Sequence, residues 1–262
     1  MPKIETLSGV VKKELHVFYV LDTSGSMEGA PIAALNDAMC DTVNELAKIS
    51  ASSADAAFKI AVLEFNTNAR WITKGENGVE DIEDYVWENL QETGMTYLGN
   101  ALEELTTSLS RNSMMKSPTG NKVPVIIFMS DGYPNDKGWE QKLDKLKENR
   151  WYQQAIKIAF ALGDDADTGV LAKVVGDAKA VIQTSNLEAF KGMIRIASVT
   201  ASLAASTSKT SSAALTGADV VNGATGGGND FDENGAVVVT DIEEVDVDIY
   251  DNTPVDMDDD FE

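Results

Sequence analysis

The 262-residue chain has few of the residues on which several common classes of protein depend. Its single cysteine, Cys40, excludes an internal disulfide and a cysteine-based zinc cluster. No run reaches the roughly 18 consecutive apolar residues of a membrane span. Residues 1–14 lack the apolar core and small-residue cleavage site of a secretory signal. These absences predict a cytoplasmic protein with no membrane segment.

Basic residues are also scarce, since 21 Lys and Arg stand against 43 Asp and Glu, a net charge of −22. Such a charge argues against nucleic acid or an anionic lipid surface as the main partner. Residues 1–209 contain 28 acidic and all 21 basic side chains, whereas residues 210–262 contain 15 acidic and no basic ones. We therefore predict a domain over residues 13–203. Residues 204–262 are predicted to be a small-residue linker and an acidic tail that is disordered or forms a small β appendage.

Near-continuous apolar segments alternate with helical stretches through the predicted domain. The apolar segments have the length of buried strands, and the main ones are residues 15–21, 58–65, 123–129 and 156–162. A short segment at 69–73 follows its predecessor after a gap that suits a hairpin. The pattern predicts an α/β fold with a doubly wound, mostly parallel sheet, helices on both faces and one short antiparallel edge strand.

Oxygen-bearing side chains follow two of the predicted strands. Asp22, Ser24 and Ser26 come directly after the first strand, and Asp131 follows the strand at 123–129. A third hydroxyl, that of Thr96, lies in a loop just before a predicted helix. Because the carboxyl ends of parallel strands share one edge, these side chains are predicted to meet there. Oxygen ligands select a hard cation, so we predict Mg²⁺, with Mn²⁺ or Ca²⁺ as alternatives. An ion held by three neutral hydroxyls would seek a further carboxylate from a partner protein.

The three segments DTSGSM (22–27), GMTYLG (94–99) and SDG (130–132) together resemble the metal-ion-dependent adhesion site of von Willebrand factor A domains. The resemblance covers roughly residues 13–203. It implies direct coordination by Ser24, Ser26 and Thr96, with Asp22 and Asp131 acting mainly through water. It also implies a non-catalytic protein-interaction module. The family commonly has Gly-Gly-Thr where this chain has Gly-Met-Thr, a departure that keeps the hydroxyl.

Three further segments are similar to the bacterial TerY-like branch of that family, which is named for tellurite-resistance operons. They are residues 130–139, 156–171 and 190–202. The resemblance implies a cytoplasmic adaptor in a stress or tellurite-resistance system. It also implies a protein kinase or phosphatase, encoded nearby, as a partner.

Two other interpretations of the same residues remain open. Asp22 after a buried strand also resembles the nucleophile of haloacid-dehalogenase phosphatases, in which a second aspartate two positions later protonates the leaving group. Position 24 is serine, which cannot perform that proton transfer. The other alternative is a structural subunit whose metal only braces the loops. Serine nucleophile chemistry is disfavoured because the only histidine, His16, lies roughly 20 Å from Asp22 along an extended strand.

The acidic tail contains a possible second cation site. Asp230, Asp232, Asn234 and Asp241 occupy positions 1, 3, 5 and 12 of a twelve-residue calcium loop that has glycine at position 6. Position 12 is aspartate, whose side chain is shorter than that of the usual glutamate and weakens bidentate binding. No helix is predicted before the loop. Segments 236–240 and 245–249 have strand propensity and could pair or add to a sheet edge. The Ser and Thr residues of 206–212 are candidate phosphorylation sites if a kinase accompanies the protein.

Overall fold

The structure, a computed structural model, describes residues 11–131, 133–207, 216–226, 230–232 and 236–238. In chain order, the strands are β1 (Lys13–Asp22), β2 (Ala56–Phe65), β3 (Ala69–Trp71), β4 (Glu80–Asp81), β5 (Val125–Ser130), β6 (Ile156–Leu162), β7 (Val181–Thr184), β8 (Asp230–Phe231) and β9 (Val237–Val238). The helices are α1 (Ala30–Ser52), α2 (Leu98–Ser108), α3 (Trp139–Lys147), α4 (Arg150–Gln154), α5 (Thr168–Val175), α6 (Leu187–Thr207) and α7 (Gly217–Ala224).

The strands form one sheet in the order β3-β2-β1-β5-β6-β7-β9-β8, and β4 also pairs with β2. β1 lies between β2 and β5 and is parallel to both. From β1 the chain runs to β2 on one side, and it later returns to β5 and continues on the other side. The strand order therefore reverses between β1 and β5, where ligands bind in open α/β sheets. The predicted doubly wound, mostly parallel fold is confirmed.

Alternating side chains of the strands enter two separate cores. From β1, Tyr19 and Leu21 point to the face covered by α1, α6 and α7, whereas Phe18 and Val20 point to the face covered by α2 to α5. All four are fully buried. Burial on both faces explains why this strand reads as a continuous apolar run rather than an alternating one.

The C-terminal part of the described chain differs from its prediction in its helices. α6 continues to Thr207, so the predicted boundary at 203/204 falls inside this helix. α7, which was not predicted, buries Val220 and Val221 against the α1–α6 face. β9 then adds to the sheet beside β7, in parallel, and β8 pairs with it in antiparallel orientation. Residues 216–238, where described, thus extend the sheet and its cover.

Two further antiparallel strands accompany the predicted one. β3 corresponds to the predicted edge strand, while β4 and β8 were not predicted because each has only two residues. Among the described residues, no helix is long and apolar enough to cross a membrane.

Candidate metal centre

The candidate site lies at the carboxyl ends of β1 and β5, at the reversal of strand order. Asp22 is the last residue of β1, and Ser130 is the last residue of the adjacent β5. A single turn of 3₁₀ helix, Gly25–Met27, follows β1 and brings Ser26 back toward the end of β5. The loop that contains Thr96 precedes α2. The topology thus collects the three sequence segments at one edge of the sheet.

Asp22 is held rigidly and has no exposed surface. Its Oδ1 accepts a hydrogen bond from the backbone N–H of Ser24 at 2.9 Å, and its Oδ2 accepts one from the hydroxyl of Ser130 at 2.6 Å. Burial raises the pKa of Asp22 to about 6, even though the hydrogen bonds from Ser130 and Ser24 favour the ionised form. A cation at this edge would offset the cost of a buried negative charge.

The side-chain oxygens of Ser24, Ser26 and Asp131 form a continuous chain of contacts. The Oγ atoms of Ser24 and Ser26 are 3.0 Å apart, and the hydroxyl of Ser26 donates to Oδ1 of Asp131 at 2.9 Å. Ser24 is buried, whereas Ser26 is exposed and Asp131 is partly exposed. Burial also raises the pKa of Asp131. The chain therefore runs from the buried interior to solvent, where a ligand could reach it.

Backbone hydrogen bonds fix the Thr96 loop against the turn after β1. The N–H of Gly25 donates to the carbonyl of Gly94 at 3.0 Å, and the N–H of Thr93 donates to the carbonyl of Thr23 at 2.8 Å. Thr96 is 5% exposed, so its side chain lies at the base of the site rather than on the surface. The loop and the turn consequently behave as one unit.

A second contact joins the Thr96 loop to the chain after β5. The N–H of Thr96 donates to Oδ1 of Asn135 at 2.9 Å, and the N–H of Asn135 donates back to the carbonyl of Thr96 at 2.8 Å. One residue later, Asp136 accepts a hydrogen bond from the N–H of Gly99 in the first turn of α2. This reciprocal pairing sets the distance between the Thr96 and Asp131 loops.

Gly94 permits the sharp turn that aims Thr96 inward. Its φ is +75°, a conformation that favours glycine, and a Cβ added there would lie 2.4 Å from Oγ1 of Thr67. The hydroxyl of Thr67 accepts a hydrogen bond from the N–H of Met95 at 2.9 Å. Thr67, on the turn between β2 and β3, thus supports the loop from the other side.

Sequence reasoning did not assign supporting roles to Ser130, Asn135 and Thr67. Each is a polar residue that ends a strand or lies in the segment that follows one, at the same edge of the sheet. That placement is a usable signal, because such residues can reach the loops that carry the candidate ligands. Among the described residues, no three His, Cys, Asp or Glu side chains cluster as metal ligands. A metal centre here therefore depends on hydroxyl groups.

The geometry of Asp22 does not suit the phosphatase mechanism. Both of its carboxylate oxygens accept hydrogen bonds and the side chain is fully buried, an arrangement that disfavours direct attack on a substrate phosphorus. His16 is buried, and its Nδ1 has no hydrogen-bond partner among the described residues. Burial lowers the pKa of His16 to about 4, with a smaller contribution from Lys59.

The possible calcium loop is only partly described. The carboxylate of Asp232 accepts hydrogen bonds from the N–H of Ala236 at 2.8 Å and from the hydroxyl of Thr168 at 2.5 Å. Asp230 lies in β8 and is exposed. Asn234 and Asp241 lie outside the described residues, as do residues 208–212 of the predicted phosphorylation segment and the predicted strand at 245–249.

The fold and the chain resemble known proteins. A von Willebrand factor type A protein from Catenulispora acidiphila aligns with a TM-score of 0.52 and 16% identity, over 72% of this chain and 43% of that one. Proximal thread matrix protein 1 from the mussel byssus, with a zinc-occupied MIDAS motif, aligns with a TM-score of 0.50 and 18% identity, over 70% and 47%. At these identities the likeness shows the fold.

Sequence comparison identifies the family. Mouse inter-alpha-trypsin inhibitor heavy chain H2 is 27% identical in an alignment of 178 residues that covers 64% of this chain. The match spans only 17% of that relative. The sequence profile of the von Willebrand factor type A domain matches residues 16–196. These residues include all five candidate metal ligands and make up more than half of the chain, which therefore belongs to the von Willebrand factor type A domain family.

Proposed function

We propose that the chain is a non-catalytic protein-interaction module that binds a divalent cation, with Mg²⁺ preferred and Mn²⁺ or Ca²⁺ as alternatives. Ser24, Ser26 and Thr96 would hold the ion directly, and Asp22 and Asp131 would hold it mainly through water. A partner protein would complete the coordination with a carboxylate. The observation that carries this proposal is the continuous chain of oxygen contacts from Ser24 through Ser26 to Asp131.

The spacing of these oxygens fits a small cation. With metal–oxygen distances of about 2.0–2.1 Å and octahedral angles, neighbouring ligand oxygens lie about 2.9 Å apart. The Oγ atoms of Ser24 and Ser26, which are both direct ligands in this proposal, are 3.0 Å apart, so an ion could replace their hydrogen bond with little movement. Calcium prefers 2.3–2.6 Å, which would require these oxygens to separate further.

The surface beside the site suits a protein partner. Met95 and Tyr133, from the two loops that flank the candidate ion, are 50% and 61% exposed. Large apolar side chains around a charged centre are typical of binding sites in which a few anchors supply most of the affinity. Trp139 is partly buried under Lys173, whose ammonium lies 5.6 Å from the ring centre. We therefore assign contact roles to Met95 and Tyr133.

The wider context of this module is also a proposal. A zinc-occupied motif in the mussel protein of similar fold supports a divalent ion. The TerY-like segments support a cytoplasmic adaptor in a stress or tellurite-resistance system, with a kinase or phosphatase encoded nearby as partner. The chain spans about one sixth of the curated relative, so the activity of that larger protein is not transferred to it.

Calorimetry tests the metal site directly. Mg²⁺ titrated into the chain is expected to bind, and binding is expected to fall by at least tenfold in Ser26→Ala, which loses a ligand oxygen, and in Asp131→Asn, which loses the negative charge. Ser113→Ala is the control, because Ser113 is partly exposed and its hydroxyl makes no hydrogen bond with any other described residue. Unchanged Mg²⁺ affinity in both site variants would reject the assignment.

A pull-down from the native host tests the role of the metal. Capture of the same partner is expected to be lost with EDTA and with Ser26→Ala, and restored by Mg²⁺ in the natural chain. Capture that survives both treatments would instead favour the structural alternative, in which the ion only braces the loops. Turnover of a phosphate ester that disappears in Asp22→Asn would favour the phosphatase.

A further inference from the structure

A groove of about 960 Å³ runs along the β3 edge of the sheet, outside the metal site. One wall is formed by Arg70 and Trp71 of β3 and by the next residue, Ile72, and the other by most of residues 84–93. We call it the edge groove. β3 ends the strand order, and in the described part of the chain no strand pairs with its outer side.

The backbone of β3 presents free polar groups to the outside of the sheet. In the antiparallel pair of β2 and β3, every second residue forms hydrogen bonds with the partner strand. The N–H of Ile72 donates to the carbonyl of Val62, and Arg70, two residues earlier, lies opposite Glu64. In an antiparallel pair the intervening residues point their N–H and C=O groups away from the partner strand. Ala69 and Trp71 are those residues.

In the opposite wall, too, few backbone N–H and C=O groups have hydrogen-bond partners within the described chain. Residues 85–93 form neither helix nor strand. Leu90 is fixed by the buried side chain of Asn36, which accepts its N–H and donates to its carbonyl, and Thr93 bonds to Thr23. Between Val86 and Glu92, no backbone group other than those of Leu90 has a hydrogen-bond partner within the described chain. An extended segment placed in the groove would therefore meet unpaired donors and acceptors on both sides.

The charges of the groove select its occupant. Glu64 pairs with Arg70, and Lys74 lies 3.5 Å from Glu88. Three further carboxylates of the groove wall have no cationic side chain paired with them in the described part of the chain; they are Glu80, Asp84 and Glu92. Such an acidic groove repels the acidic residues of this chain's own tail and favours a basic partner.

Apolar surface lies between these carboxylates. Val86 is 77% exposed, and Trp71, Ile72 and Tyr85 are partly exposed beside it. An extended strand directs alternate side chains to opposite faces, so it can place apolar residues against this surface and basic residues near the carboxylates.

The edge groove also reaches the candidate metal centre. Asn66 and Thr93 line the groove, and each donates a hydrogen bond to Thr23. Thr23 stands in the chain between two candidate ligands, Asp22 and Ser24. A partner whose carboxylate approaches the ion could thus continue into the groove. This continuity rests on the proposed function, whereas the groove itself does not.

We infer that the edge groove binds an extended protein segment with alternating apolar and basic residues, which adds to β3 as a further antiparallel or parallel strand. Main-chain hydrogen bonds to β3 would give affinity, and the carboxylates would select basic side chains. The segment belongs to a partner protein, because the tail of this chain has the wrong charge.

Fluorescence anisotropy with a designed peptide tests this inference. The probe is a labelled seven-residue peptide that alternates lysine and valine and ends in an amide, so it carries no carboxylate for the ion. It is expected to bind the full chain. Its glutamate-valine counterpart, and a version N-methylated on every second residue, are expected to bind at least tenfold more weakly. Absence of binding, or equal binding by either comparison peptide, would overturn the inference.

Two variants locate the binding. Val86→Ser is expected to weaken the lysine-valine peptide about tenfold through lost apolar contact, whereas Val11→Ser, at a valine that is 72% exposed but outside the groove, should leave it unchanged. Ala69→Pro removes an outward N–H without removing a bond to β2 and should also weaken binding about tenfold. Equal losses in Val86→Ser and Val11→Ser would overturn the inference. If Ala69→Pro does not fold, the N-methylated peptide decides the role of the backbone.

Chelation separates this inference from the proposed function. Binding of the lysine-valine peptide is expected to be the same with EDTA and with Mg²⁺, because the probe cannot coordinate the ion. Failure of Mg²⁺ binding would therefore reject the metal centre and leave the edge groove standing, and failure of peptide binding would do the reverse. Peptide binding that disappears with EDTA would contradict a groove that works through backbone pairing.

Discussion

The hydroxyl of Ser130 donates to Oδ2 of Asp22 at 2.6 Å, from the end of one parallel strand to the end of its neighbour. Asp22 is fully buried and Ser130 nearly so. A buried carboxylate that loses a donor keeps its desolvation cost without the compensating bond. The contact therefore supports both the fold and the candidate metal centre.

Ser130→Ala is expected to lower the free energy of unfolding at pH 7 by about 1–3 kcal/mol in the absence of metal. It is also expected to weaken Mg²⁺ binding about tenfold to a hundredfold, because a supporting hydrogen bond to a ligand is lost. Denaturant unfolding and calorimetry measure the two effects, with Ser113→Ala as the control. A variant with natural stability and natural Mg²⁺ affinity would show that Asp22 does not need this donor.

Gly94→Ala is expected to be more damaging than Gly176→Ala, although both residues have positive φ, +75° and +89°. The backbone strain of alanine, about 1 kcal/mol, is common to both changes. Only at Gly94 would the new Cβ meet Oγ1 of Thr67, while nothing lies within 4 Å at Gly176. We expect Mg²⁺ affinity to fall in Gly94→Ala alone. Comparable losses of stability and equal Mg²⁺ affinity in the two variants would contradict a positioning role for the turn.

Burial of His16 is expected to lower the free energy of unfolding in acid. Its folded pKa of about 4 lies below the ordinary value of 6.5, so the unfolded chain binds more protons between these pH values. Stability from this residue is therefore complete above pH 6.5 and is lost as the pH falls toward 4. The loss is about 3 kcal/mol if the whole shift is expressed.

The measurement compares the natural chain with His16→Phe, which keeps a ring stacked on Phe18 but cannot titrate. Urea unfolding at pH 7, 6, 5 and 4 should show the natural chain losing more stability than the variant, since other groups titrate equally in both. Parallel curves for the two chains would mean that His16 is solvated or paired when folded.

Asp232→Ala is expected to reduce the free energy of unfolding by about 1–2 kcal/mol, because the N–H of Ala236 and the hydroxyl of Thr168 would lose a charged acceptor. Asp230→Ala is the matched control, since Asp230 is exposed. Thermal unfolding distinguishes the two variants. If the two substitutions have equal effects, the contact between this carboxylate and α5 does not stabilise the C-terminal part of the sheet.

The central architecture could be predicted from the sequence because strands that are buried on both faces appear there as continuous runs of apolar residues. β1, β5 and β6 lie where apolar runs predicted them, and the polar residues that follow β1 and β5 meet at one edge. The metal-binding role of Asp22, Ser24, Ser26, Thr96 and Asp131 stays a prediction, although four of them are linked by hydrogen bonds. That these four residues lie at the same edge of the sheet could be predicted from the topology alone.

Other features left little trace in the sequence because they depend on contacts between distant segments. β9 lies within segment 236–240, whose strand propensity is visible in the sequence, but its parallel pairing with β7 involves a distant segment that local propensity does not encode. The course of residues 85–93 depends on Asn36, an amide on α1 that bonds to Leu90, 54 positions away. An isolated asparagine on a predicted helix gives no indication of such a partner.

The parallel orientation of β9 determines how the molecule can be held in an experiment. The chain enters the sheet at Lys13, at the edge opposite the candidate metal centre, and it leaves β9 at Val238 toward the same edge as that centre. A tether joined before β1 would thus attach the domain to a sensor surface with its binding face outward. A tether joined after β9 would bring that face toward the surface, so measured on-rates should depend on which of the two attachments is used.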